Sequence, residues 1–293
     1  MNRTISYNLN EKENKTIIAF LKEKGYSIPI LQKLKEHTCD VILDGEPGFL
    51  NRNIKDRLNL SVNIKEYEKT EYISSKIPLD ILYEDEDIVV INKSYDMPIH
   101  PSINHRDNTL ANALTHYYAT ESSPFIFRCL NRLDKNTTGI TIVAKNPLSA
   151  AILSRQMKEN SIHRIYYAIV EGEINSEGIV DAPIARVSDS IILRAVNYEQ
   201  GQPAITEYEP LKILNGNTLI KCTLKTGRTH QIRVHMSYIN HPLIGDYLYG
   251  NVENTAVNGR HLLHAGEISF VHPITGEEMT IVAPFPEDFG DYR

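Results

Sequence analysis

The sequence predicts an α+β fold: a mixed, mainly antiparallel sheet flanked by helices, preceded by a small α/β module. Two observations carry this. From residue 79 onward, strand-like segments outnumber helix-like ones and the two do not alternate regularly, which argues against a doubly wound parallel sheet. Ahead of them, residues 1–66 hold two short helical patterns and then a few short strands. The stretch between, "YEKTEYISSKIP" at 67–78, is polar and aperiodic and reads as a linker. The expected units are therefore 1–66, 67–78 and 79–293.

Each element has a local reason. "TIIAFLKEKG" at 16–25 puts Ile17, Ile18 and Leu21 on one helical side and stops at Gly25. "SIPILQKLKEH" at 27–37 offers Ser27 as N-cap and Pro29 in the first turn. "CDVILDG" at 39–45 is a short strand closed by an Asp-Gly turn, and "RLNLSVNI" at 57–64 alternates as a strand should. In the larger unit, an acidic turn in "DILYEDEDIVVINKS" leads into the apolar run 88–91. "NTLANALTHYY" at 108–118 reads as a helix capped by Asn108. "FIFRCLNRLD" at 125–134 and "GITIVAK" at 139–145 read as strands around a polar tip. "NPLSAAILSRQMKEN" at 146–160 is a helix with Asn146 as cap and Pro147 in its first turn. "HRIYYAIVEG" at 163–172 is a strand, and "AITEYEPLKIL" with "TLIKCTLKTG" form an antiparallel pair. A helix begins near Thr229 in "RTHQIRVHMSYIN", and "EMTIVAP" is the last strand.

Composition narrows the function. No run of about eighteen apolar residues exists, so no membrane partner is expected. Residues 1–16 lack a secretory apolar core, and Cys39, Cys129 and Cys222 fit neither a disulfide framework nor a zinc motif. The expectation is a cytoplasmic protein, monomeric by default. No phosphate loop, dinucleotide fingerprint or metal-ligand spacing is present, so neither cofactor nor metal is expected. His230 with His235, and His261 with His264, do not have the spacing of a helical zinc pair. The net charge of −6 argues mildly against a protein that coats nucleic acid. Its distribution points the other way. "KCTLKTGRTHQIRVH" at 221–235 holds Lys221, Lys225, Arg228 and Arg233 and no acid, while acids gather in "YEDED" and near the C-terminus. A basic face on an acidic body is one reading, and a solvated strand and helix is the other.

The segment "CLNRLDKNTTGITIVAK" at 129–145 is a candidate for chemistry, with a hairpin that merely bears a solvated Asp as the other reading. A strand pattern runs into Arg132-Leu133-Asp134, a polar turn closes at Gly139, and a second apolar run follows. Tips between core strands hold function more often than packing. A carboxylate beside an arginine at such a tip can serve as nucleophile or base without a metal. Arg228 and Arg233 flank a predicted helix start, where backbone N–H groups favour anions. Periodicity alone does not bring them to Asp134.

Taken together, "NRLDKNTTGITIVAK", "RIYYAIVEG" and "TGRTHQIRVHM" followed by "HPLIGD" resemble the RluA-type pseudouridine synthases, which modify uridines in ribosomal and transfer RNA. The order and gaps agree, "LYEDEDIVVINK" resembles the family's opening strand, and "HLLHA" resembles a later core strand. The likeness covers residues from about 78 to the C-terminus. It implies a pseudouridine-synthase-type sheet, structured RNA (rRNA or tRNA) as partner, and an isomerase that needs no cofactor. It implies that Asp134 is the catalytic aspartate, Tyr166 the active-site tyrosine that stacks on the base, and Arg233 the partner of the aspartate. Asn131 stands where the family usually has His, and Arg164 where it usually has Lys. Candidate RNA contacts are Asn131, Arg132, Arg164, Lys225, Arg228 and His230. A uridine inside a stack must be extruded to reach Asp134, at a cost of a few kcal/mol that phosphate contacts offset. Asp134 could attack C1′ covalently or take the 2′ proton to give a glycal; the sequence does not choose.

Residues 16–64 also resemble the small RNA-binding domain first named in a ribosomal small-subunit protein. The second helix departs from it, offering only Lys33 and Lys35 against Glu36 where the family is richer in cations. A helical appendage without RNA contact is the other reading. For the whole chain, the alternatives are a catalytically silent ribosome-assembly factor on the same fold, and a glycosylase that would release free uracil.

Overall fold

The computed structural model describes residues 1–9, 14–66, 72–119, 125–250 and 259–292. Part of the expected linker, residues 67–71, lies outside the described residues, as does the C-terminal residue of the 79–293 unit.

The N-terminal module consists of β1 (Arg3–Asn8), α1 (Ile17–Glu23), α2 (Ile28–Glu36), β2 (Val41–Leu43), β3 (Glu46–Pro47) and β4 (Asn59–Ile64). Its sheet runs in the order β1-β4-β2-β3, every pair antiparallel. The first strand is absent from the sequence reading. Only Ile5 in it is buried, so its alternation is too weak to register. Thr16 caps α1 by accepting from Ala19 N–H, and Pro29 sits in the first turn of α2 as expected.

The second unit holds β5 (Ile81–Glu84), β6 (Ile88–Lys93), α3 (Leu110–Tyr117), β7 (Thr138–Ala144), α4 (Pro147–Lys158) and β8 (His163–Glu171). It continues with β9 (Gly178–Asp181), β10 (Ile184–Arg186), β11 (Arg194–Val196), β12 (Ile205–Leu214), β13 (Asn217–Leu224), α5 (Gln231–Tyr238), β14 (Leu263–Val271) and β15 (Glu278–Val282). A nine-stranded sheet runs β5-β6-β7-β14-β8-β13-β12-β9, with β15 beside β14, and β10 and β11 form a separate hairpin. Among its named pairs only β7 with β14 is parallel, so the α+β expectation holds.

The apolar run 88–91 is buried on both faces. Val89 and Ile91 pack toward α3 with Leu110 and Leu114. Ile88 and Val90 pack toward α4 with Leu153 and Phe270. A strand covered on both sides loses its polar alternation, which is why the sequence showed a continuous block. Where β7 meets β14, Gly139 has φ +107°, and a Cβ there would lie 2.2 Å from the Ala265 carbonyl oxygen. Only glycine permits that approach.

Three local expectations need correction. Thr109, not Asn108, caps α3: its hydroxyl accepts from Asn112 N–H, and the Asn112 side chain accepts from Thr109 N–H. The Asn108 amide instead meets His105. α5 starts at Gln231, with His230 as N-cap in a left-handed conformation, rather than near Thr229. "FIFRCLNRLD" is not a regular strand. Residue 129 makes a single bridge to Val143, and Leu130 N–H donates to Ile142 O at 2.8 Å. The next rung is made by a side chain: the Asn131 amide donates to Ile140 O (2.8 Å) and accepts from Ile142 N–H (2.9 Å).

The module rests against the larger unit. Leu148 and Ile152 of α4 belong to the module's apolar core. Arg3 makes a fork to Asp87 (3.0 and 3.1 Å), and Arg128 pairs with the buried Glu66 at 2.7 Å.

Two buried histidines on the β14 side reach into the tip. His261 Nε2 lies 2.8 Å from Thr137 Oγ1, and His264 Nδ1 lies 2.9 Å from Thr138 Oγ1. Burial pushes the His264 imidazole down to about 4. The unfolded chain therefore takes up a proton below about 6.5 that the folded chain refuses until about 4, so stability falls as pH drops through that window. The expected loss is about 3 kcal/mol. Urea midpoints at pH 7.5 and 4.5 check it: His264→Gln should flatten the pH slope, and a slope equal to wild type would assign the acid sensitivity elsewhere.

Candidate active site

Asp134 opens the turn that joins the bridged segment to β7. Its carbonyl accepts from Thr137 N–H at 3.1 Å. The turn is tied down on several sides. Lys93 ends β6 buried and donates to the carbonyls of Ser94 (2.7 Å), Met97 (3.0 Å) and Lys135 (3.1 Å). Burial pushes the Lys93 ammonium down to about 7, against the opposing charge of Asp134. Arg260, fully buried, donates to Asn136 O at 3.2 Å and forks onto Asp288 near the C-terminus (2.6 and 2.8 Å). With Thr137 and Thr138 held by the two histidines, the backbone around Asp134 has little freedom.

The Asp134 side chain is 25 % exposed and faces Arg233, which is 2 % exposed, with Nη1 2.9 Å from Oδ2. The first turn of α5 presents Arg233. That turn is fixed by Gln231, whose Oε1 accepts from Arg228 N–H (2.9 Å) and Thr226 Oγ1 (2.8 Å). The larger partner of Arg233 is another residue. Asp246, fully buried, takes Nε and Nη2 at 2.7 Å each, and accepts from Leu248 N–H at 3.0 Å. Burial alone would lower the Arg233 pKa, but the hydrogen bonds and charge of Asp246, then Asp134, outweigh it and raise the value. The guanidinium is permanently charged and aimed at Asp134 by a second carboxylate. Asp246 stands inside "HPLIGD" but no local pattern marks it.

Tyr166 is buried on β8 with Leu133, Ile232 and Leu263 around it. Burial raises its pKa, with Arg164 opposing, so the hydroxyl stays protonated at neutral pH. Asp134 and Tyr166 share a cleft of about 680 Å³. Its rim carries Arg132, Arg164, Arg186, Arg194 and Arg228. Arg186 and Arg194, on the β10–β11 hairpin, were not singled out in the sequence; they lie far from the motifs and only the fold brings them over.

The candidate contacts separate. Arg132 and Arg228 are exposed at the cleft, and Arg228 Nε donates to Pro203 O at 2.9 Å. Arg164 lies against Gly227, where a Cβ would come within 3.0 Å of its Nη1. Asn131 is 4 % exposed with both ends of its amide bonded to β7 backbone, so it braces the tip rather than offering itself to RNA. Lys225 pairs with Glu207 at 3.0 Å and does not line this cleft. His230 turns inward: Nδ1 lies 2.8 Å from Tyr249 Oη and Nε2 3.6 Å from Asp134 Oδ2. Burial lowers its pKa, so the imidazole is neutral at pH 7.

An oriented carboxylate, a paired arginine, a buried tyrosine and a cationic rim suit a polyanionic substrate whose one reacting unit enters an apolar pocket. Comparisons agree. The family model for RNA pseudouridylate synthase matches residues 87–238. The chain is 39 % identical over 275 residues to "Uncharacterized RNA pseudouridine synthase YjbO" of Bacillus subtilis (strain 168), covering 93 % of this chain and 96 % of that one. It is 40 % identical over 245 residues to "Ribosomal large subunit pseudouridine synthase D" of Vibrio parahaemolyticus, covering 80 % and 74 %. Among solved structures, human RNA pseudouridylate synthase domain containing 1 superposes with a TM-score of 0.60 at 29 % identity, covering 71 % of this chain and 83 % of that one.

Proposed function

The chain belongs to the RNA pseudouridylate synthase family, and on that premise we propose that it isomerises specific uridines in structured RNA through Asp134. The observation that carries this is the Arg233-held carboxylate at the floor of an arginine-rimmed cleft, beside Tyr166. In the reaction the C1′–N1 bond breaks, the uracil turns, and C1′ bonds to C5. C5 then gives up its proton and N1 gains one, so mass is unchanged. Asp134 acts as nucleophile at C1′ or as base at the 2′ position. Arg233 orients it, and Tyr166 stacks on the extruded base. Arg132, Arg164, Arg186, Arg194 and Arg228 take phosphates, which makes binding salt-dependent.

Ribosomal RNA of the large subunit is the first substrate to try, because relatives bear that name; transfer RNA is the second. The protein acts as a cytoplasmic monomer, with residues 1–66 as an accessory RNA-facing module. The test is pseudouridine mapping of total RNA from cells with and without the protein. One or a few sites should vanish and return with wild type but not with Asp134→Asn. No lost site, together with no product on unmodified ribosomal and transfer RNA transcripts in vitro, would overturn the proposal.

A further inference from the structure

Arg233 Nη1 donates to Asp134 Oδ2 at 2.9 Å, and His230 Nε2 approaches the same oxygen at 3.6 Å, just beyond hydrogen-bond distance. His230 holds φ +59°, a conformation uncommon for residues other than glycine. That backbone sends its imidazole back under the carboxylate instead of out to solvent.

Tyr249 fixes the other side of the ring. Its Oη accepts from Arg194 N–H at 3.0 Å and lies 2.8 Å from His230 Nδ1. While accepting from the Arg194 amide, the phenol can donate its one proton to Nδ1, which selects the Nε2–H tautomer of His230. The neutral imidazole then carries its own proton on Nε2, facing Asp134. Tyr249 also touches the rest of the support. The Arg233 guanidinium carbon sits 5.1 Å from its ring centroid, and its backbone N–H donates to Asp246 at 3.3 Å. One tyrosine therefore contacts both groups that reach Oδ2.

We propose that His230 and Tyr249 are positioning residues that, with Arg233, engage Asp134 Oδ2 and so reserve Oδ1 for the reaction. His230 is thereby a support for the carboxylate and not a contact for RNA. The inference rests on the reading that Asp134 is the working carboxylate, and its test separates the two.

Single-turnover rates are measured at saturating RNA with the full chain, on a transcript that wild type modifies, beside RNA Kd and melting temperature. Tyr249→Phe keeps the ring under Arg233 and removes the hydroxyl. A fall of about tenfold in rate is expected, with Kd within about twofold. His230→Asn and His230→Gln then discriminate. Asparagine tolerates the left-handed backbone better, but its amide stops near the Nδ1 position. Glutamine fits that backbone less well, but extends an N–H toward the Nε2 position. A purely structural histidine ranks Asn above Gln in both melting and rate. A positioning histidine ranks Gln above Asn in rate while melting ranks them the other way. Asn equal to or faster than Gln, a wild-type rate for Tyr249→Phe, or losses confined to Kd would overturn the inference. A rate for Asp134→Asn equal to wild type would instead overturn the reading beneath it.

Discussion

Asp134→Asn should abolish isomerisation while leaving a folded protein that still binds RNA. The rate is expected to fall at least about 10³-fold, because an amide can neither attack C1′ nor take the 2′ proton. Folding should survive for a reason visible in the site. Asp134 meets Arg233 through one nitrogen only, while Asp246 holds the other two. Removing the Asp134 charge therefore leaves the buried guanidinium neutralised. RNA Kd should stay within a few-fold, since the arginines of the rim are untouched. Release of tritium from RNA labelled at uridine C5 follows the proton lost when C1′ rejoins the ring. Residual turnover above about one per cent of wild type would remove Asp134 from the role of nucleophile or base.

That protective arrangement was only half legible beforehand. Asp134 and Arg233 were legible through the family resemblance; on pattern alone one is a charge at a tip between apolar runs, and the other is one of two arginines flanking a helix start. Asp246 did not, although it takes two of the guanidinium's three nitrogens. It lies beyond the C-terminus of α5, and no spacing rule ties a lone aspartate to an arginine thirteen residues earlier. Tyr249 was hidden for the same reason, since its contacts come from a helix cap and from the β10–β11 hairpin. The basic stretch 221–235, for which a single basic face and a solvated strand and helix were both open readings, divides in two. Lys221 and Lys225 pair across the sheet with Glu209 and Glu207, whereas Arg228 reaches the cleft. Strand alternation ends at Leu224, and a single basic block spans that boundary. Asn131 shows a further limit. A side chain that replaces a backbone rung leaves the apolar pattern of a strand intact while the ladder itself is broken. The resting of the module on α4 through Leu148 and Ile152 was also unreadable, because both residues already served the amphipathic pattern of their own helix.

Asp246→Ala tests the support from below and should be the most damaging change to stability. It strands a guanidinium that is 2 % exposed, leaving Asp134 at 2.9 Å as its carboxylate partner. Removing one member of a buried pair typically costs about 3–5 kcal/mol, and because Asp134 still opposes the Arg233 charge the loss should lie at the low end of that range. Here the Leu248 and Tyr249 N–H groups lose their acceptor as well. For a chain of this length the melting temperature should fall by roughly 10 °C. The rate should fall further than stability alone explains. Freed from Asp246, Arg233 can turn its full fork onto Asp134, covering the oxygen that the reaction needs. The double variant Arg233→Leu/Asp246→Leu separates the two effects. Replacing a whole buried pair by apolar groups is often neutral for stability, so the double variant should melt well above Asp246→Ala. It should remain as slow, because nothing then orients Asp134. Differential scanning calorimetry and single-turnover rates on the same preparations decide it. If Asp246→Ala melts within about 2 °C of wild type, Asp246 is not what keeps Arg233 in place. If the double variant regains the wild-type rate, Arg233 was never needed to orient the carboxylate.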